Sequence, residues 1–145
     1  MTTRRYQMKS LTFLSVIFFM FMVKHVYAVQ ITTLFKDLSA EAQRQVVCLA
    51  DNIYFEAASE SPIGKMAVAF VTLNRVSTGN YSNTICGVVH QKIRGVCQFS
   101  WYCDPINAKK RLTVRSTPLY NDILDIAVFI AVNYRYIDDV SKNAT

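Results

Sequence analysis

Residues 48–76, CLADNIYFEAASESPIGKMAVAFVTLNRV, predict two helices joined by a short polar elbow. The first helix should begin near Ala40, because apolar residues recur there at the three- and four-residue spacing of an amphipathic helix: Val46, Leu49, Ala50, Ile53 and Ala57. Ser61-Pro62 is typical of an N-cap followed by a first-turn proline, so the second helix should begin there. That second helix is apolar nearly all round as far as Val76, which predicts a central core helix.

Two glutamates stand at this elbow. Glu56 falls beside Leu49 and Ile53 on the helical wheel, at the edge of the apolar stripe and near the helix end. A carboxyl at that position can face a cleft, where desolvation favours its protonated form and suits it to acid catalysis. An ordinary helix-boundary glutamate is the alternative. Glu60 should lie just before the second helix, where the helix dipole favours its charged form. Its carboxylate could therefore serve either to stabilise the helix N-terminus or to take part in catalysis.

Residues 1–28 have the pattern of a secretory signal peptide, and residues 29–145 form one domain. Basic residues within the first nine precede an apolar run at 11–23, which is too short to span a bilayer comfortably. Val26-Tyr27-Ala28 then supplies the small residues that a signal peptidase reads. We therefore expect an exported protein of the periplasm or cell envelope. The alternative is an uncleaved anchor, and membrane contact is expected only through this segment.

The charge argues against a nucleic-acid partner. The whole chain has 16 basic and 10 acidic residues, a formal charge of +6. Four of the basic residues and none of the acidic ones lie in residues 1–28, so twelve basic against ten acidic residues leave +2 for residues 29–145. A basic run predicts a solvated loop, with contact to an anionic polymer as the alternative: Lys109, Lys110, Arg111 and Arg115.

Four cysteines predict two disulfides. Cys48, Cys86, Cys97 and Cys103 are an even set in a chain that we expect to be exported. Three connectivities are possible, and we favour Cys97–Cys103 with Cys48–Cys86. A zinc site formed by these cysteines with His90 is the alternative, although the spacing lacks a paired C-x-x-C. The sequence has no glycine-rich phosphate loop and no His-Glu-x-x-His motif, so we expect no cofactor and no metal.

Short elements are predicted after residue 76. Asn83 should cap a short helix at 84–90, and residues 91–102 look extended, with a turn at Gly95. In such a strand Gln98 and Ser100 share one face. Residues 104–107 predict a loop.

Thr117-Pro118 should cap a final helix that runs to about residue 135. The expected fold is therefore a small, mainly helical α+β domain with a short β-element around Gln98.

Four blocks of the sequence resemble the SleB-type cell wall hydrolases, the family of spore cortex-lytic enzymes and their relatives. The blocks are CLADNIYFEAASE, PIGKMAVAFVTLNRV, YSNTICGVVHQ and CQFSWYCD, in the family's order, over residues 47–104. The family's usual E-A-R-G-E is E-A-A-S-E here, with Ala58 and Ser59 in place of the arginine and the glycine.

The resemblance implies a lytic transglycosylase with a lysozyme-like cleft that acts on the glycan strands of peptidoglycan. Glu56 matches the family's catalytic glutamate, which would serve as acid and then base at the bond between N-acetylmuramic acid and N-acetylglucosamine. Gln98 and Ser100 would line the cleft. Further candidates for substrate contacts are Tyr54, Glu60, Asn74 and Trp101.

Two other functions stay open. A hydrolytic muramidase would use Glu56 as acid and either Glu60 or Asp104 as base. A wall-binding protein without catalytic activity on the same scaffold is the second.

Overall fold

The computed structural model describes residues 15–23 and 33–134. Residues 15–23 and 33–37 are helical. The elements that follow are α1 (Ala40–Ala57), α2 (Pro62–Ser77), α3 (Ile85–Val89), β1 (Lys92–Ile93), β2 (Val96–Cys97), α4 (Ser100–Cys103), α5 (Pro105–Val114) and α6 (Pro118–Asn133). The protein is therefore mainly helical with a small antiparallel β-hairpin, the α+β class that the sequence predicts.

The central helix is α1. It begins where predicted, with the Ser39 hydroxyl accepting a hydrogen bond from the Ala42 N–H at 3.2 Å. It packs against α2, α3 and α6. Its buried side chains form the middle of the core: Ala42, Gln45, Val46, Cys48, Leu49, Ala50, Asp51, Asn52, Ile53 and Ala57.

The prediction that α2 is the central helix was wrong. Its Ser61 cap is as predicted, with the hydroxyl accepting from the Gly64 N–H at 3.3 Å. However, its fully buried residues are Ala69, Thr72 and Leu73, and Ile63 is 76% exposed. One side of α2 meets α1, α3 and α6, while apolar residues on the other side face outward.

The final helix, α6, completes the core. The Thr117 hydroxyl caps it by accepting from the Tyr120 N–H at 3.3 Å, as Thr117-Pro118 predicts. Its inner face packs on α1 and α2. The buried side chains of α6 are Tyr120, Ile123, Ala127, Val128, Ile130 and Ala131.

The middle of the chain differs from the prediction in two places. The cap of α3 is Thr84 and not Asn83, because the Thr84 hydroxyl accepts from the Gly87 N–H at 3.0 Å. The predicted long strand at 91–102 is a hairpin of two-residue strands, turned at Arg94 and Gly95, which both have positive φ. Ser100 does not continue the strand but begins α4.

The loop predicted at 104–107 is instead the start of helix α5. The Asp104 carboxylate caps it by accepting from the Ile106 N–H at 2.8 Å and from the Asn107 side-chain amide at 3.1 Å. Pro105 occupies the first turn, where a missing N–H costs nothing. The basic run from Lys109 to Arg115 is therefore largely helical.

Both favoured disulfides are present. Cys48–Cys86 joins α1 to α3, and Cys97–Cys103 joins β2 to the end of α4. A disulfide sulfur is not a thiolate ligand, so this pairing contradicts the zinc alternative at these cysteines.

Much of the predicted signal peptide lies outside the described residues, including the cleavage site after Ala28. Residues 15–22 are exposed. Within the parts of the chain that the structure describes, no helix is long and apolar enough to cross a bilayer.

Candidate active site

Glu56 projects from the last turn of α1. The side chain is exposed, so the protein itself does not supply the desolvated cleft edge predicted from the helical wheel. Its neighbour Ala57 is buried, and Phe55 packs inward against α4. The helix end is thus fixed by the residues on either side of Glu56, while the carboxyl reaches solvent.

A buried amide fixes α1 one turn before Glu56. Asn52 is inaccessible to solvent. Its Nδ2 donates to Thr72 Oγ1 at 3.0 Å, and its Oδ1 accepts from Trp101 Nε1 at 2.8 Å. The Thr72 hydroxyl donates in turn to the Val68 carbonyl at 2.9 Å. One side chain therefore ties α1 to both α2 and α4, with its hydrogen-bonding groups satisfied on both sides.

Trp101 belongs to this anchor. Its ring stacks on Phe55 with centroids 4.5 Å apart and planes 16° apart. The side chain is 4% exposed, so its faces are covered and do not offer a stacking platform for a sugar. The structure instead makes Trp101 the link between α4 and the end of α1.

The other predicted contact residues fall into two groups. Gln98 is half-buried and Ser100 is exposed, and both lie next to the Trp101 anchor in the chain. Half-buried Tyr54 packs edge-on against Phe55 at 5.3 Å, within the same group. Asn74 lies apart from them at the far end of α2, where its Oδ1 accepts from the Tyr134 hydroxyl at 2.7 Å.

Glu60 lies just before α2, as predicted. Its side chain covers Gly64, where an added Cβ would come within 2.9 Å of Glu60 Cβ. The Lys65 ammonium donates to the Glu60 carbonyl at 2.9 Å. The Glu60 side chain thus packs on the first turn of α2, although the residue as a whole is exposed to solvent.

A buried ionic cluster fixes the other side of α1, and the sequence interpretation missed it. Asp51 is 2% exposed and accepts from Arg115 through both carboxylate oxygens and from the Tyr120 hydroxyl at 2.6 Å. Arg111 Nε lies 3.9 Å from the same carboxylate. Arginines expected in a solvated loop therefore hold α5 against α1. Asp51 and Asn52, polar residues next to the apolar stripe, were the signal that could have revealed both anchors.

These contacts shift proton affinities. The hydrogen bond to Asp51 raises the pKa of the Arg115 guanidinium. Burial, and then the Asp51 charge, raises the pKa of Tyr120 well above its usual value. His90, whose ring stacks on Tyr102 at 4.2 Å, has its pKa lowered, first by burial and then by the charge of Arg111.

Comparison with known proteins identifies the family. Residues 59–144 match the family model described as Cell Wall Hydrolase. This chain belongs to the Cell Wall Hydrolase family. The resemblance to SleB-type cell wall hydrolases is thereby confirmed. The matched range begins three residues after Glu56, so family membership itself does not assign a role to that carboxylate.

Curated relatives match part of this chain. Two spore cortex-lytic enzymes of Bacillus cereus are each 36% identical to the chain over 50 residues. The alignment covers 34% of this chain and 19% of each relative, so the chain spans about a fifth of their length. No solved structure shows a significant match.

Proposed function

We propose that this protein cleaves peptidoglycan glycan strands as a lytic transglycosylase, with Glu56 as its general acid and base and a lysozyme-like arrangement of the cleft. The observation that carries the proposal is the placement of Glu56. An exposed carboxyl stands one turn beyond the buried Asn52 anchor, on the most deeply buried helix of a cell wall hydrolase. A carboxyl on a rigid element keeps its position while it transfers a proton.

The exposure of Glu56 suits a polymeric substrate. A glycan strand is long and needs an open surface on which to lie. Gln98 and Ser100, next to the Trp101 anchor, supply polar groups for its N-acetyl substituents. The bound strand itself removes water from around Glu56, which favours the protonated carboxyl at the moment of reaction.

One carboxyl is sufficient for this reaction. Protonated Glu56 donates to the glycosidic oxygen as the bond from muramyl C1 breaks, and N-acetylglucosamine leaves with a new hydroxyl. The ionised carboxylate then takes the proton of the muramyl 6-hydroxyl as that oxygen bonds to C1. Glu56 ends protonated, and the product carries a 1,6-anhydro ring. The nucleophile is tethered to the substrate, so proximity supplies much of the acceleration.

The hydrolytic alternative requires a second carboxylate as base. Asp104 already accepts two hydrogen bonds as the cap of α5. The Glu60 side chain packs on the first turn of α2. These contacts favour the mechanism with one carboxylate. Mass analysis of the released fragments decides, because a 1,6-anhydro end is lighter by one water than the reducing end of a hydrolysis product.

Paired mutants test the role of Glu56. Glu56→Gln keeps the size of the side chain but removes its proton, so release of fragments from purified sacculi should fall about 10²–10⁴-fold. Glu60→Gln is the matched control, because it removes a charge at the same elbow and should cost much less. Thermal melting of both variants checks the fold. A folded Glu56→Gln protein that lyses sacculi at near wild-type rate contradicts the mechanism, and a wild-type protein that binds sacculi without cleaving them supports the non-catalytic alternative.

The export proposal has its own test. We propose that residues 1–28 are removed as a signal peptide, and the disulfides support passage to an oxidising compartment. N-terminal sequencing of envelope protein should begin at Val29. An intact Met1 in the membrane fraction indicates an anchor instead.

A further inference from the structure

Arg75, in the last turn of α2, is a cation without a counter-ion. Within residues 15–23 and 33–134, Arg44, Arg111 and Arg115 each form an ion pair with a carboxylate. Arg75 and Arg94 form none, but Arg94 is exposed to water whereas Arg75 is half-buried. The Nη1 of Arg75 is buried and has no hydrogen-bond partner. The residue as a whole is only half-buried. A buried unpaired donor on a charged group is costly, so the charge of Arg75 is uncompensated by the described residues. Because Nη1 itself is covered, a ligand reaches the guanidinium through the part of the side chain that remains accessible.

Two aromatic rings hold the guanidinium in place. Its carbon lies 4.9 Å from the centroid of the Phe99 ring and 5.4 Å from that of Tyr81. Contacts of this kind attract a cation but leave its hydrogen-bonding edge unused. Phe99 lies between Gln98 and Ser100 in the chain, the two residues proposed to line the glycan cleft.

The rings belong to elements that are joined to each other. The Ser82 N–H donates to Gln91 Oε1 at 3.4 Å, and the Gln98 N–H donates to the Gln91 carbonyl at 3.0 Å. The loop that carries Tyr81 and the hairpin that leads to Phe99 therefore share Gln91. Both rings that contact Arg75 are thus carried by elements that are hydrogen-bonded to the same residue.

Arg75 is within reach of a strand bound at Glu56. The Asn52–Thr72 hydrogen bond joins α1 and α2 at 3.0 Å. From that contact, Glu56 is one turn, roughly 6 Å, nearer to the elbow along α1, and Arg75 is roughly 5 Å nearer to the far end of α2, so the two residues are offset by roughly 11 Å along the helix pair. A glycan strand of several sugars is long enough to span this offset. One polymer strand can therefore contact both side chains.

We propose that Arg75 binds a carboxylate carried by the muramyl residue of the strand, on its lactyl group or its stem peptide. This inference rests on the proposed function, since it assigns the part of the same substrate that is charged. The sugar rings are neutral, and a carboxylate matches the planar guanidinium with two parallel hydrogen bonds. A neutral glycan with the same backbone lacks this contact.

Binding to sacculi with and without free carboxyls tests the proposal. All proteins carry Glu56→Gln so that binding is measured without cleavage. The probes are native sacculi and sacculi whose carboxyls have been converted to amides with carbodiimide and ammonia. Arg75→Gln should weaken co-sedimentation with native sacculi about tenfold or more, the usual effect of a charge-assisted hydrogen bond. The same variant should bind amidated sacculi as its parent does.

Two further variants separate recognition from charge and from folding. Lys36→Gln removes the same charge from an exposed position before α1 and should leave binding unchanged. Arg75→Lys keeps a cation between the rings but loses the fork, so it should bind native sacculi with intermediate strength at an unchanged melting temperature. Equal losses for Arg75→Gln and Lys36→Gln, or equal losses on both kinds of sacculi, overturn the proposal.

The outcome is distinguishable from failure of the proposed function. If the wild-type protein releases no fragments, while binding of the Glu56→Gln protein to sacculi still depends on their carboxyls and on Arg75, the lytic function fails and the carboxylate site stands. If it releases fragments from native sacculi while Arg75→Gln binds normally, the carboxylate site alone fails.

Discussion

Replacing Asp51 with asparagine should destabilise the domain strongly without touching Glu56. The substitution keeps the volume of the side chain but removes the charge that accepts from Arg115 and Tyr120. It leaves a guanidinium and a phenol facing a neutral amide in the interior, between α1, α5 and α6. The substitution therefore tests whether this cluster joins the last two helices to the central one.

The magnitude follows from the exposure of the two partners. The Asp51 side chain is 2% exposed, and the Arg115 side chain is 34% exposed. Breaking a fully buried pair by removing one partner costs about 3–5 kcal/mol. Water can rehydrate the exposed third of Arg115, so we expect about 2–3 kcal/mol here. For a domain of this size that corresponds to a fall in melting temperature of about 10–15 °C.

Thermal melting of oxidised protein at neutral pH measures the effect. Asp37→Asn is the matched control, because it makes the same chemical change at an exposed position and should alter the melting temperature by no more than about 2 °C. In a double-mutant cycle, Arg115→Gln should cost little more once Asp51 has been replaced. A melting temperature of Asp51→Asn close to that of Asp37→Asn, or additive losses in the cycle, refutes this account of the cluster.

Three more predictions follow from other contacts. Replacing Cys48 and Cys86 with alanine should lower the melting temperature more than replacing Cys97 and Cys103. The first bridge closes a separation of 38 residues and the second one of 6, so their contributions to the free energy of unfolding are about 4 and 2 kcal/mol on the loop-entropy model. Equal losses for the two pairs contradict this prediction. Because the pKa of His90 is lowered in the folded protein, the unfolded chain binds the proton first as the pH falls through about 6.5. The free energy of unfolding therefore decreases as the pH falls below about 6.5. His90→Phe should keep the stack on Tyr102, and its melting temperature relative to wild type should rise between pH 7.5 and 5.5; a constant difference rejects the assignment. Gly87→Ala should destabilise α3 although alanine favours helix, since its Cβ would lie 1.9 Å from Ser82 Oγ, and a melting temperature at or above wild type disproves the clash.

The sequence predicted those elements whose cause is local. Ser61-Pro62 and Thr117-Pro118 mark the starts of α2 and α6, and each hydroxyl caps its helix by a bond to a residue three positions on. The apolar spacing before Glu56 likewise predicted α1 and the direction of its buried face.

Elements that depend on distant partners were misjudged. Asp104-Pro105 is the same kind of helix start, but α5 has no continuous apolar stripe and is held instead by Asp51, 64 residues from Arg115. Trp101 has a strand preference that its bond to Asn52, 49 residues away, overrides. The site was affected in the same way, because the position of Glu56 could be inferred from the sequence, but its exposure depends on packing around Phe55.

The packing of α6 on α1 affects the order in which the chain can fold. Synthesis delivers a polypeptide from its N-terminus, and α6 is the last of the described helices to emerge. Until then the apolar stripe of α1 lacks the cover that α6 provides, and Asp51 lacks the hydrogen bond from the Tyr120 hydroxyl. The domain therefore cannot close on a partial chain.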